Sequence, residues 1–249
     1  MSNKQTSKSA LLERPEINES LENQSVQASG KLNIYRIVKR VFDFVSSLCL
    51  GVLLLIPMAI IALVIVVKDP GNPFYLHKRI GQGGKEIVVL KFRSMRKNAD
   101  CLESMLTPEQ LERYLKEYKL DDDPRLIGYT NSANCRKCFG AFIRRTSLDE
   151  LPQIVWNICL KGDMSVVGPR PILPDELEKN YTPEEQKLFL SVKPGLTGYW
   201  QAYARNNATY ETGERQRMEL YYVKNQSVWL DVKIMFATVG AVMHKQGAK

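Results

Sequence analysis

With 249 residues, 35 Lys and Arg against 27 Asp and Glu, and a net charge of +8, the chain is long enough for one domain with a substantial core. The basic surplus points to an anionic partner: nucleic acid, lipid headgroups or a phosphorylated substrate. Five scattered cysteines exclude a fully paired disulfide framework and read as reduced thiols on the cytosolic side of a membrane.

Residues 1–30 are polar, without apolar periodicity, and read as a disordered tail lacking the order of a secretory signal. From Val41 to Val67 the chain is apolar apart from Asp43. A straight helix crosses a bilayer with about 20 apolar residues, so residues 31–70 form a membrane element. Its flanks are basic on both sides: Arg36, Lys39 and Arg40 before it, Lys68, Lys78 and Arg79 after it. Basic residues favour the cytosolic side. A segment that enters and leaves by one face, bent at Pro57, accommodates both flanks; an ordinary transmembrane helix with a tolerated proline is the other reading.

Residues 71–249 form the remaining domain. Asp69–Pro73 reads as a turn, followed by β-like runs near Phe74–Tyr75 and Ile87–Phe92 across the glycines of 81–84. Helical spacing covers Ala99–Leu120, Leu148–Leu160 and Pro183–Val192, and one long helix is expected from Glu214 to His244. The fold class expected is α+β, mainly helical, with a small sheet.

Several groups can carry chemistry. Asp149 and Glu150 are adjacent carboxylates, and Ser147 with Glu150 matches a capping box. A helix N-terminus there would favour an ionised Asp149. Such a carboxylate can attack phosphorus or hold a divalent cation; an exposed acidic helix cap is the plainer alternative. Lys91 and Arg93 alternate around Phe92, which on a strand places both cations on one face, suited to phosphate or simply solvated. Arg170 stands between Pro169 and Pro171, whose fixed φ stiffens the loop presenting it; a plain turn is the alternative. Cys135 and Cys138 form a lone CxxC without nearby partner ligands and read as ordinary thiols. No P-loop occurs, and bases and aromatics do not interleave as in an RNA-binding signature, so nucleic acid is not an expected partner.

The order of these motifs is more specific than any one of them. Lys39–Phe44 (KRVFDF), the proline-bearing apolar block, Lys91–Met95 (KFRSM), Asp123–Arg125 (DPR), Ser147–Gln153 (SLDELPQ), Lys161–Ser165 (KGDMS), Gly168–Pro171 (GPRP) and Lys193–Gly198 (KPGLTG) occur in that order. From about Ile34 to Ala248 the chain resembles the bacterial sugar transferase family, the monotopic phosphoglycosyl transferases, and in length its small members, which lack a further four-helix membrane region.

The resemblance implies transfer of a phosphosugar from a UDP-sugar to polyprenyl phosphate, releasing UMP, at the cytosolic face of the bacterial inner membrane. Asp149 would be the nucleophile that carries the phosphosugar, and Glu150 would bind Mg²⁺. Lys91, Arg93, Arg144, Arg170 and Arg205 match positions that contact phosphate or nucleotide. It also implies a re-entrant membrane helix and contact with membrane lipid. Galactose, glucose and N-acetylated sugars use similar phosphate and uridine contacts, so the motifs specify the donor class rather than the sugar. Departures are Ile56 in place of a common serine, a longer link from Arg125 to Ile143, and Glu219 where aspartate is expected. A membrane-anchored basic module for nucleic acid or anionic lipid would account for the charge and the apolar block but not for the ordered motifs.

Overall fold

The computed structural model describes residues 15–117, 120, 123–131, 137–204 and 212–243, with side chains from Ile34 onward except 116–117 and 242–243. The chain divides into two compact units, Met1–Phe42 and Asp43–Lys249.

The first element, α1, runs from Pro15 to Lys68 with Pro57 inside it. It therefore extends into the segment read from composition as a disordered tail; residues 1–14 lie outside the described ones. Lengthening a nucleated helix is easier than starting one, and Glu, Gln, Leu and Lys are good helix formers. Ile34–Lys68 contains an 18-residue window of mean hydropathy 3.2 and is long and apolar enough to cross a membrane. Helical backbone continues through Pro57.

Within the larger unit, one stripe of α1 faces protein. Asp43 and Ser47 are buried, and Gly51 lies against Val155, where a Cβ would come within 3.0 Å of its methyl. Farther along, Met58, Ile61, Ala62 and Ile65 pack with Phe92, Ile127 and Ile143. The other side leaves Leu53 and Ile56 73% and 74% exposed. An apolar surface this continuous is stable against hydrocarbon rather than water. The charge in the block has a partner: Asp43 Oδ1 accepts the backbone N–H of Val166 at 3.0 Å.

Strands β1 (Phe74–Ile80) and β2 (Glu86–Phe92) form an antiparallel hairpin, longer in its first strand than expected, around a turn where Gly83 and Gly84 take φ of 72° and 77°. The single helix expected over Ala99–Leu120 is two, α2 (Leu102–Met105) and α3 (Pro108–Glu117). Pro108 disfavours helical backbone at Thr107, whose hydroxyl instead accepts the N–H of Gln110. The Asp123–Arg125 motif is structural: the two side chains form a buried pair at 2.8 Å, and Arg125 stacks 4.3 Å from the Tyr114 ring.

Helix α4 (Phe139–Arg145) leads through a 3-10 turn, Leu148–Glu150, to a π-helix, Ile154–Lys161. A second, parallel pair follows, β3 (Ser165–Val167) with β4 (Gly195–Thr197). It was not anticipated, because three-residue strands carry no readable alternation. The pair needs glycine: a Cβ on Gly195 would collide with the backbone of Gly168. Between them lie α5 (Pro174–Asn180) and α6 (Pro183–Phe189), the latter capped reciprocally by Thr182 and Glu185.

The chain ends in α7 (Tyr199–Tyr203), α8 (Glu214–Asn225) and α9 (Val228–Met243). One long C-terminal helix was expected; Ser227 breaks it, its hydroxyl capping Leu230. Tyr222 then ties the pieces together, donating to Asp231 at 2.8 Å and lying 3.1 Å from the Val167 carbonyl. The α+β, mainly helical class holds, with the β content split into two two-stranded sheets.

Replacing Asp43 with Ala removes the acceptor of the partly buried Val166 N–H. A loss of about 1–3 kcal/mol is expected, read as a lower Tm in detergent. An unchanged Tm would show that this contact does not fasten α1.

Candidate active site

The β1–β2 hairpin forms one wall of the site. Its register places Tyr75 opposite Lys91, His77 opposite Val89 and Arg79 opposite Ile87, so Arg79, His77 and Lys91 share a face. Arg79, Val89 and Lys91 line an open cleft, together with Glu150, Gln153, Arg170 and Gln201.

Asn157, buried in the π-helix, sets the opposite wall. Its side chain accepts the N–H of Leu90 at 3.0 Å and donates to the Val88 carbonyl at 2.8 Å, pairing with the edge of β2 as a strand would. The turn before the π-helix is thereby held beside Lys91, whose Nζ lies 2.6 Å from Glu150 Oε1. The expected capping box does not form. Ser147 takes a left-handed conformation, φ 57°, with no side-chain cap, and the Glu150 side chain goes to Lys91 instead.

Asp149 differs accordingly from the expectation of a carboxylate kept ionised by a helix N-terminus. Burial, then the neighbouring Glu150 charge, pushes its pKa up to about 6, while Lys91 and Arg144 act against that rise. Arg144, in the last turn of α4, is thus close enough to influence the dyad.

Arg170 reaches the cleft from the loop after β3. Its guanidinium lies 5.9 Å from the Trp200 ring, and Arg215 stacks on the same ring at 4.1 Å. Arg93 does not join the cleft lining: it pairs with Asp69 Oδ2 at 2.9 Å and also bonds the Asp69 carbonyl. The period-2 pattern placed it beside Lys91, but β2 ends at Phe92, and Arg93 instead secures the end of α1. Arg205 and Cys135 lie outside the described residues; Cys138 is buried beside Leu126.

Sequence reading missed Arg79, which enters the cleft because β1 extends to Ile80 and bridges to Ile172. Carrying the alternation of β1 two residues past His77 would have found it. His77 reports the field around it: burial first, then Arg79, Lys91 and Arg170, lower its pKa to about 4. Glu150 and three cations line one cleft, with Asp149 next to Glu150 in the chain but not in the lining, an arrangement suited to a multiply charged anion held near a nucleophile or a divalent cation. Among the described residues, Gln153 Nε2 and Gln201 Oε1 are buried there without a partner, a donor and an acceptor that a polar ligand can satisfy.

Among the described residues no group of three or more His, Cys, Asp or Glu forms a metal cage. Mg²⁺ does not require one, since it binds through one or two carboxylates completed by water and substrate phosphates. The Asp149–Glu150 dyad fits that donor set.

A family model described as bacterial sugar transferase matches residues 34–245. The chain is 42% identical over 216 residues to a UDP-galactose-lipid carrier transferase of Erwinia amylovora, covering 86% of this chain and 42% of the relative. It is 38% identical to the exopolysaccharide production protein ExoY of Sinorhizobium fredii, covering 85% and 88%. Identity is 35% to the UDP-glucose:undecaprenyl-phosphate glucose-1-phosphate transferase of Escherichia coli, covering 83% and 40%. The chain thus spans about two fifths of the length of the first and third of these relatives.

Burial in α8 raises the Glu219 pKa from 4.5 to about 7, with Arg215 and Arg170 opposing and Glu176 adding to the rise. Below about pH 4.5 the carboxyl is protonated in both folded and unfolded chains; above about 7 its ionisation costs on the order of 3 kcal/mol. The stability of Glu219→Gln relative to wild type should therefore shift in the variant's favour as pH rises through this window. Melting curves near pH 5 and pH 8 check this, and a pH-independent difference would show that Glu219 carries no such cost.

Proposed function

This chain belongs to the bacterial sugar transferase family, and from that premise we propose that it moves a phosphosugar from a UDP-sugar to a polyprenyl phosphate such as undecaprenyl phosphate. The carrying observation is Glu150 held against Lys91 in a cleft that also receives Arg79 and Arg170, with Asp149 beside it in the chain and within the field of Lys91 and Arg144. The relatives support it by name: one is a UDP-galactose-lipid carrier transferase and one a glucose-1-phosphate transferase acting on undecaprenyl phosphate.

In the first step an Asp149 carboxylate oxygen attacks the phosphorus bearing the sugar. The bond from that phosphorus to the bridging oxygen breaks, and UMP departs with the electron pair. An aspartyl phosphosugar remains. In the second step an oxygen of polyprenyl phosphate attacks the same phosphorus, the acyl-phosphate bond breaks, and Asp149 is regenerated as polyprenyl-diphosphate sugar forms. Arg79, Lys91 and Arg170 hold the diphosphate and offset the approach of one anion to another, with Arg144 beside the dyad. Glu150 is the residue that would hold Mg²⁺, which when bound would neutralise phosphate charge. With a pKa near 6, Asp149 is mostly ionised at neutral pH.

The membrane topology proposed is an apolar block that enters and leaves by the cytosolic face of the inner membrane. The supporting observation is that both ends fasten to one body: Asp43 to β3, Ile65 to the core around Phe92. A lipid acceptor and a soluble donor then meet at the bilayer surface.

Single cysteines placed at Asn33 and Asn72 should label from the same side in intact cells; labelling from opposite sides would overturn this topology.

Enzyme incubated with UDP-sugar and no lipid acceptor should gain the mass of one phosphosugar, mapping to Asp149. Asp149→Asn should lack the adduct and lose UMP release by about 100-fold or more. UMP release by that variant at near wild-type rate would sink the assignment.

A further inference from the structure

Glu219 takes no part in the transfer chemistry, yet it is 2% exposed in the interior of α8. Its side chain faces the Gly168–Pro171 loop. Prolines have no backbone N–H, so within the run Pro169-Arg170-Pro171 the one main-chain donor belongs to Arg170. Both Glu219 oxygens lie within reach of it, at 3.3 and 3.4 Å.

Other bonds fix the flanks of the loop but not its centre. Gly168 N–H donates to Thr197, the Pro169 carbonyl accepts from Gly195, and the Ile172 carbonyl accepts from Ile80. The rest of the surroundings is charged: Arg215 from α8, Arg170 from the loop and Glu176 from α5 act on the carboxyl. Glu176 in turn lies 3.5 Å from Arg215 and 3.8 Å from Arg79. Burying a carboxylate in this setting is unfavourable unless its acceptor oxygens are used.

We propose that Glu219 is the positioning residue for Arg170, its carboxylate holding the backbone N–H between two prolines and so fixing where the guanidinium enters the cleft. Glutamate rather than aspartate supplies the reach. With contacts already at 3.3 to 3.4 Å, a side chain one carbon shorter withdraws the acceptor unless α8 moves. The consequence for catalysis rests on the phosphosugar-transfer reading; the contact itself does not.

Two measurements on the full chain in detergent test this. Hydrogen exchange read by mass spectrometry needs no ligand. Glu219→Met, similar in size but without an acceptor, should speed exchange in the peptide covering Gly168–Ile172 selectively, and Glu219→Gln, which keeps one acceptor oxygen, should largely restore protection. In UMP release, Glu219→Met should lower kcat/KM for the UDP-sugar roughly tenfold, with Glu219→Gln recovering most of it. Added to Arg170→Ala, Glu219→Met should cost less than about twofold more, because the residue acts through Arg170. Unchanged exchange in Glu219→Met overturns the proposal, as does an undiminished kinetic effect in the Arg170→Ala background. A wild-type enzyme that releases no UMP refutes the transfer reading instead, and exchange then decides the positioning role.

Discussion

A 2.6 Å contact between Lys91 and Glu150 joins the β1–β2 hairpin to the turn bearing the two carboxylates. Burial, and then the charge of the adjacent Glu150, raises the pKa of Asp149. The two carboxylates need cations from elsewhere in the fold, and the sequence separates Lys91 from Glu150 by 59 positions. Every nearby element serves that meeting. Asn157 sets the π-helix against β2, and the bridge from Ile80 to Ile172 sets Arg79 beside the Arg170 loop. Glycines at 168 and 195 allow β3 and β4 to close behind the cleft.

The membrane segment is coupled to the same assembly. Asp43 bonds to Val166 in β3, two residues before the Gly168–Pro171 loop. Ile65 belongs to one core cluster with Phe92, next to Lys91, and Leu148, next to Asp149, packs against that cluster. An apolar helix with a lipid-facing side thus also forms core contacts beside both halves of the site. Contacts from one helix to both sides of the site suit a reaction whose proposed acceptor is a lipid phosphate.

Much of this was readable from sequence because the informative features were long or ordered. The apolar block marked the C-terminal half of α1, and the motifs of Lys91, Glu150 and Arg170 pointed to residues that line one cleft. Other parts were not readable, for local physical reasons. Lys91 and Arg93 carry the same charge two residues apart, yet one faces Glu150 and the other Asp69, because the strand ends between them. Arg79 was missed because the first strand was read only near Phe74–Tyr75, whereas β1 runs on to Ile80. Ser147 and Glu150 have the spacing of a capping box, but Lys91 wins the Glu150 side chain. Glu219 stood out only as a departure from aspartate; its burial and its bond to Arg170 are tertiary facts.

The charge distribution of the cleft bears on how two phosphorylated substrates could share it. Three cations, Arg79, Lys91 and Arg170, line one cleft with Glu150, and Asp149 is the neighbour of Glu150 in the chain. Holding a UDP-sugar and a polyprenyl phosphate there together would bring further anionic groups into a partly desolvated space, where repulsion is poorly screened. Sequential occupancy avoids that cost: UMP leaves before the lipid phosphate arrives, and only the phosphosugar stays behind. A covalent carrier at Asp149 makes this separation possible without losing the activated phosphoryl group to water. The electrostatics of the cleft thus favour the two-step route proposed here over one in which both substrates bind at once.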